Sequence, residues 1–414
     1  MRRQDTRVNR LKAAWGGPRL AVMHFAFLAL VPVAVFANKG TVPVFLFAAL
    51  PNLYPSALLR LWAHARLLTL AVAGLCLWAL ISLAYAPEPD LLRAVTHVAL
   101  PPLGLIWIAG LVGLPMTARA ALARTLLIAV LAIVALFLFE IATGGSITRL
   151  LHPQGFSQAI KLYERIAVGQ VLLIGLTWPV AFCLWQRHRL LAAAFLAGVV
   201  VCALSLPMAA AVLALLAGAV SLLLAWRWPR AIAGLTLICL LGYIFAAPTL
   251  SRDWLTITDA RQAGLSLPSG WEHRLGIWNY VAVEIDGAGL LGAGYDASRV
   301  IGRRDDLITE IVGLDGKSPE ALPLHPHNAV LQVWLELGLP GALLLALALT
   351  GIYVVLLRAP LSSGRRAAAM AVTATLLVPF LLSFGVWQSW WLAALMLCAG
   401  GTVVLLAPVP AGRD

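Results

Sequence analysis

The sequence predicts an all-α polytopic membrane protein with about 12 transmembrane helices and one large outer loop containing short helices. Three observations carry that class. Hydrophobic residues make up 61% of the 414 positions and charged residues only 12%. Apolar runs of about 18 to 22 residues recur along the chain, the length that spans roughly 30 Å of hydrocarbon. The alternating segments of about ten residues that mark a transmembrane barrel are absent.

Taken in order, the apolar runs predict spans at 20–37, 41–59, 67–85, 91–113, 123–142, 165–185, 190–206, 208–226, 231–248, 328–357, 367–386 and 388–408. The splits between 206 and 208 and between 386 and 388 are the shortest. Pro32, Pro51, Pro101 and Pro179 fall inside spans, where proline is tolerated and kinks the helix. No internal repeat or low-complexity tract is evident, so residues 1–414 read as a single membrane domain.

The net charge of +12 is explained by where the cations lie and does not call for a nucleic-acid partner. With a cytoplasmic N-terminus, the segments 1–19, 60–66, 114–124, 186–190, 227–230, 358–366 and 409–414 hold 18 Lys and Arg but only Asp5 and Asp414 as acids. The other side holds 12 basic residues and 16 acids. This is the positive-inside pattern. It predicts cytoplasmic tails at 1–19 and 409–414, both termini inside, and a large outer loop at 249–327. Residues 143–164 form a second, shorter outer segment.

Cys76, Cys183, Cys202, Cys239 and Cys398 all sit in apolar runs without paired spacing, so neither a disulfide framework nor a zinc site is expected. Metal chemistry lacks the grouped carboxylates it needs, because Asp305–Asp306 is the one adjacent acidic pair and follows Arg303–Arg304. Phosphate-loop, nucleophile-elbow and zinc-protease motifs are absent.

The stretch Pro323–Gly341, PLHPHNAVLQVWLELGLPG, concentrates ionisable groups where the outer loop re-enters the membrane. Asn328 is placed to cap a helix starting at Ala329, and Gln332 and Glu336 lie four residues apart on one face of it. His325 and His327 have two readings, interfacial groups beside a cap or a general base for a hydroxyl. His152, in the shorter outer segment, stays ambiguous. Among the outward cations, Arg165 stands at the head of a span with Glu164 beside it. Arg274 lies on the amphipathic stretch SGWEHRLGIWNYVAVEI, and Arg303–Arg304 precede two aspartates. A guanidinium fork suits phosphate oxygens, and several converging on one outer cavity would suit a pyrophosphate.

SGWEHRLGIWNYVAVEIDGAGLLGAGYD followed by HPHNAVLQVWLELGLPGALLL resembles the O-antigen ligase/polymerase superfamily, over roughly 160–185 and 265–345. Within it, the one dominant loop and about twelve spans resemble the O-antigen ligase family. That resemblance implies a glycosyltransferase of the bacterial inner membrane with a periplasmic site. Its donor would be an undecaprenyl-pyrophosphate-linked glycan, its acceptor the lipid A–core oligosaccharide, and its surroundings membrane lipids. It implies metal-independent, inverting transfer with no cofactor, no nucleotide and no nucleic acid. The family's essential histidine falls on His325 or His327 and its loop arginine on Arg274. The arginine heading a span falls on Arg165, and Arg303 and Arg304 are added as pyrophosphate candidates. Asn328, Gln332 and Glu336 would support the site. One departure is visible, SLPMAA at 205–210 where many relatives carry a Ser-Arg-Gly-like element.

Alternatives within the superfamily are the polymerase and the protein O-oligosaccharyltransferase. The polymerase's Arg-x10-Gly pattern has only the Arg93–Gly104 spacing to match it, and the transferases are usually longer. A lipid-linked oligosaccharide transporter is the alternative from another class, but transporters place polar groups near the bilayer midplane. Here they lie at the outer boundary.

Overall fold

Among the described residues, nine helices are long and apolar enough to cross a membrane, or up to eleven spans if each of two bent pairs counts as one. The protein is an all-α, multi-pass membrane protein. The computed structural model describes residues 17–152, 159–304, 306–311 and 318–406. The expected tail at 409–414 and all but the last residues of the one at 1–19 lie outside the described residues.

α1 (Pro18–Phe36) starts on a proline, whose missing N–H is no loss in a first turn. α2 (Thr41–Ala49) breaks at Leu50–Asn52, and α3 (Pro55–His64) departs at 99° to it. Pro51 and Pro55 cannot donate to a continuous ladder. The buried Asn52 amide instead donates to the Ala48 carbonyl at 2.9 Å. The expected span 41–59 is therefore two pieces. α4 (Arg66–Ile81) follows, then α5 (Leu91–Val98) and α6 (Leu100–Val112), which together make one span of 22 residues. α7 (Met116–Ala142) ends beside α8 (Ser146–Leu151). The fully buried Glu140 accepts from the backbone of Ile147 and Thr148 at 3.0 and 2.9 Å, closing the start of α8.

α9 (Ala159–Val168) and α10 (Gln170–Trp185) meet at a 41° bend. Gly169 stands there because any Cβ would overlap the Ala34 carbonyl of α1. α11 (Arg189–Ser205) is 17 residues long, short for a plain span. α12 (Ala209–Arg227) and α13 (Pro229–Asp253) complete this half. α13 runs to 253, so the long connection starts later than the expected 249. That connection folds into α14 (Ile257–Gln262), α15 (Ser269–Ala288) and α16 (Ala297–Ile301). α17 (Ala329–Arg358), α18 (Ser363–Leu382) and α19 (Ser389–Leu406) are the last three spans.

Each of the twelve expected spans has a helical counterpart, but two are bent pairs and one is short. Two large clusters dominate the packed interior. The larger cluster joins α1, α2, α6, α7, α9–α12, α18 and α19. The second joins α4, α5, α13 and α17 to the connection, through Ile277, Trp278, Val281, Tyr295 and Ile301. The connection is thus packed onto one end of the bundle as a cap.

Candidate active site

The site grows from a helix that the sequence cannot complete. In α17, Gly338 takes φ 60° and ψ −155°, and Pro340 follows with no N–H. The ladder therefore opens at three carbonyls. The Leu339 N–H turns to the Leu290 carbonyl at 2.9 Å, and the Leu335 carbonyl accepts from Ala293 at 2.7 Å. The Glu336 carbonyl, which Pro340 cannot reach, accepts from Gly294 at 2.9 Å. Trp78 of α4 donates its indole N–H to the Leu337 carbonyl at 2.9 Å. The glycine-rich turn after α15 thus plugs the gap in α17. Gly292 and Gly338 must both be glycine, since each has positive φ and a Cβ on either would lie within 2.6 Å of the other's backbone nitrogen.

The same turn anchors on a carboxylate. Fully buried Glu336 accepts four hydrogen bonds: from the Ser298 hydroxyl and the Trp387 indole N–H, both at 2.5 Å, from the Asp296 N–H at 3.2 Å and from the Gln332 amide at 3.1 Å. Gln332 Oε1 takes the Val386 N–H at 2.9 Å. At the head of α17, Asn328 caps as expected, accepting from Val330 and Leu331 at 3.1 and 3.2 Å, and its amide donates to the Tyr243 hydroxyl at 2.5 Å. Asn328, Gln332 and Glu336 therefore hold the frame of the site and are all buried.

His325 and His327 sit at the top of that frame with ring centroids 4.4 Å apart. Trp278 of α15 donates to the Pro326 carbonyl between them at 3.0 Å. His327 has φ 53°, a left-handed conformation that a residue with a Cβ rarely adopts. Its N–H donates to His325 Nδ1 at 3.2 Å and its own Nδ1 meets the Ser383 carbonyl at 2.6 Å. A carbonyl only accepts, so Nδ1 of His327 carries the proton and Nε2 keeps a lone pair. Among the described residues nothing bonds that Nε2. His325 is buried with both ring nitrogens engaged, Nδ1 by His327 and Nε2 by Gln388 at 3.0 Å. Burial, then His327 and Arg299, push the His325 imidazole down to about 3. Burial also pulls His327 below its ordinary value, helped by Arg274 and His273 and opposed by the Ser383 carbonyl. Both rings are neutral at physiological pH.

Arg274 reaches the same place. Its Nε donates to the Leu382 carbonyl at 3.1 Å, the residue before the carbonyl that holds His327. Its NH1 donates to Gly270 at 2.9 Å, and the guanidinium lies over the Trp271 ring at 5.3 Å. Burial lowers its affinity for the proton, though an arginine stays charged. Among the described residues no carboxylate pairs with it.

The other expected arginines stand differently. Arg303 pairs with Glu88 at 2.8 Å and Arg304 with Glu284 at 2.9 Å, and both arginines are exposed. Asp306 accepts the Tyr280 hydroxyl. Arg165 is exposed on α9, without an ion pair to Glu164 or any other described residue, and α9 packs on α1 and α10 rather than on the cap. His152 is the C-cap residue of α8. Among the described residues no three His, Cys, Asp or Glu converge as metal ligands.

Two parts of the site escape the sequence reading. The turn 383–388 supplies the Ser383 carbonyl, the Val386 N–H, the Trp387 indole and Gln388. Its signal was a polar, glycine-bearing interruption, SFGVWQ, between two apolar runs. Arg299, which shares Asp296 with Arg93 at 3.0 and 3.1 Å, lies close enough to act on His325 electrostatically.

Fold and site together define a polytopic helical membrane protein with a histidine–arginine site beneath a helical cap. No family model matches the chain. Among known proteins, it is 28% identical over 281 residues to a protein of Rickettsia felis, covering 68% of this chain and 66% of the relative. It is 28% identical over 272 residues to one of Rickettsia typhi, covering 66% and 64%. A third, from Rickettsia bellii, is 36% identical over 122 residues, 30% and 29% of the two chains. All three are named provisionally as polysaccharide ligases. The chain spans about two thirds of the length of the first two.

Proposed function

We propose that the chain is a glycosyltransferase that joins a glycan carried on a lipid pyrophosphate to an acceptor hydroxyl, as in polysaccharide ligation. The names of the relatives support the reaction class. One observation carries the mechanism: His327 and Arg274 are fixed by the consecutive carbonyls of Ser383 and Leu382, one offering a lone pair and the other an uncompensated guanidinium.

In this reading His327 Nε2 accepts the acceptor hydroxyl's proton as that oxygen attacks the anomeric carbon. The glycosyl C–O bond to pyrophosphate breaks, and the bonding pair leaves with the phosphate oxygen. Arg274 offsets the charge that grows there, a kind of interaction typically amounting to about 3–4 kcal/mol of barrier. A neutral imidazole with a proton held on Nδ1 can take a second proton on Nε2 without rearranging. Activation is already stored in the donor, so no nucleotide is needed. The finer assignment follows the sequence resemblance: a periplasmic site in the bacterial inner membrane, an undecaprenyl-pyrophosphate donor and a lipid A–core acceptor.

The test uses purified protein in vesicles with a lipid-pyrophosphate glycan donor and a core-oligosaccharide acceptor, following covalent product by gel. His327→Ala should lower turnover by a factor of about 10² or more. Retention of full activity in both His327→Ala and the double variant with His325→Ala would end the general-base assignment. Loss of donor across the vesicle without covalent product would identify a transporter instead.

A further inference from the structure

We propose that Gln388 is a positioning residue that fixes the tautomer of His325 and, through it, the pose of His327. The inference rests on the reading of His327 given above, but its first test does not.

The ring protons follow from the contacts. His325 Nδ1 lies 3.2 Å from the His327 N–H, a backbone group that can only donate. Nδ1 of His325 must therefore hold a lone pair. A neutral imidazole has one N–H, so the proton of His325 sits on Nε2. That Nε2 is 3.0 Å from the Gln388 carboxamide, with the amide nitrogen placed toward it. Two donors cannot face each other. Meanwhile Gln388 Oε1 is buried with no partner among the described residues. Turning the carboxamide by half a revolution, which exchanges two nearly indistinguishable atoms, separates the facing donors and gives Oε1 a partner. Gln388 Oε1 then accepts from His325 Nε2–H.

The order of dependence is clear from the contacts. Gln388 begins the turn into α19, and the Gly385 backbone packs so closely on the His325 ring that a Cβ there would come within 2.9 Å of it. His325 is thereby held in plane with its Nδ1 aimed at the His327 backbone. That hydrogen bond supports the left-handed φ of His327. In that conformation Nδ1 of His327 reaches the Ser383 carbonyl. The two histidines must accordingly hold opposite tautomers, Nε2–H on His325 and Nδ1–H on His327. Gln388 touches neither substrate and acts only through His325.

The charged and titratable groups around the pair are Arg299 on α16, acting on His325, and Arg274 and His273 on α15, acting on His327. Gln388 and Ser383 add none. A carboxylate at 388 would be the first anion against His325. It would favour the doubly protonated ring, whose Nδ1–H can no longer accept from His327.

The first test is nitrogen NMR of histidine-labelled wild-type protein, assigned with His325→Asn and His327→Asn. Opposite tautomers are expected, and a shared tautomer would overturn the proposal whatever the reaction is. The second measures transfer in two variants. Gln388→Met should lower kcat by about tenfold, or 1.4 kcal/mol, while KM stays within about twofold. Gln388→Glu should recover kcat at alkaline pH and lose it on the acid side at a higher pH than wild type does. An unmoved acid limb in Gln388→Glu, with Gln388→Met as active as wild type, would show a merely structural glutamine. If Gln388→Met does not fold, the acid limb of Gln388→Glu and the tautomers still decide.

Discussion

Replacing Arg274 by alanine should do two separable things. Turnover should fall by about 10²–10³, the usual cost of removing one donor to a developing anion. Arg274 also lowers the proton affinity of His327, so its loss should raise that pKa. In the proposed reaction His327 is the neutral base, active above its pKa, so the wild-type acid limb is expected below the ordinary imidazole value of about 6.5. In Arg274→Ala the limb should move to higher pH, which a pH–rate profile reads directly. Arg304→Ala, breaking an exposed pair with Glu284, should change turnover by less than about threefold, since such pairs contribute about 0–1 kcal/mol. The ionisable residues were legible in sequence because His325, His327 and Arg274 stand out in an apolar chain. The division of labour between the histidines was not. It depends on the φ of His327 and on a carbonyl 56 residues further on, and neither has a local signature.

At the level of elements, the critical joint is the plug in α17. Gly338→Ala and Gly292→Ala each add a Cβ at positive φ against backbone that cannot move aside. Each should lower thermal stability in detergent by an amount equivalent to about 1–3 kcal/mol or more. Gly287→Ala is the control, because that glycine is helical with open space around it. It should leave stability unchanged or raise it by about 0.5–1 kcal/mol. Asn328→Ala should cost about 1–2 kcal/mol through the lost cap. The cap was readable because capping is a rule of neighbouring residues. The break was only half readable: Gly338 and Pro340 announce an interruption, but the turn that repairs it lies more than forty residues earlier. Likewise Pro51 announced the kink in the expected 41–59 span, while the 99° angle comes from packing.

For the whole molecule, the cap and the bundle share few covalent links but one buried carboxylate. Glu336→Leu would strand four donors at the centre of the second core, each costing about 1–3 kcal/mol when left unmade. Limited proteolysis should then cut near 289–304 before any span, whereas wild type resists there. Orientation has its own measurement. In a cysteine-free background, Leu265→Cys, exposed in the cap, should react with an impermeant maleimide in intact cells. Thr117→Cys, exposed at the start of α7, should react only after lysis. The reverse pattern would refute the cytoplasmic termini that the charge asymmetry predicts. Class and approximate span number were legible at this scale, because hydrocarbon thickness acts on composition. The separation of the two largest cores was not, since apolar runs carry no record of their neighbours. The plugged helix also has a bearing on biogenesis. The groups that satisfy the open carbonyls of α17, at Trp78, Ala293 and Gly294, all precede it in the chain. A polypeptide synthesised from its N-terminal end therefore has them before α17 is made. An arrangement in the opposite order would leave the bare carbonyls of the span waiting for donors still to be synthesised.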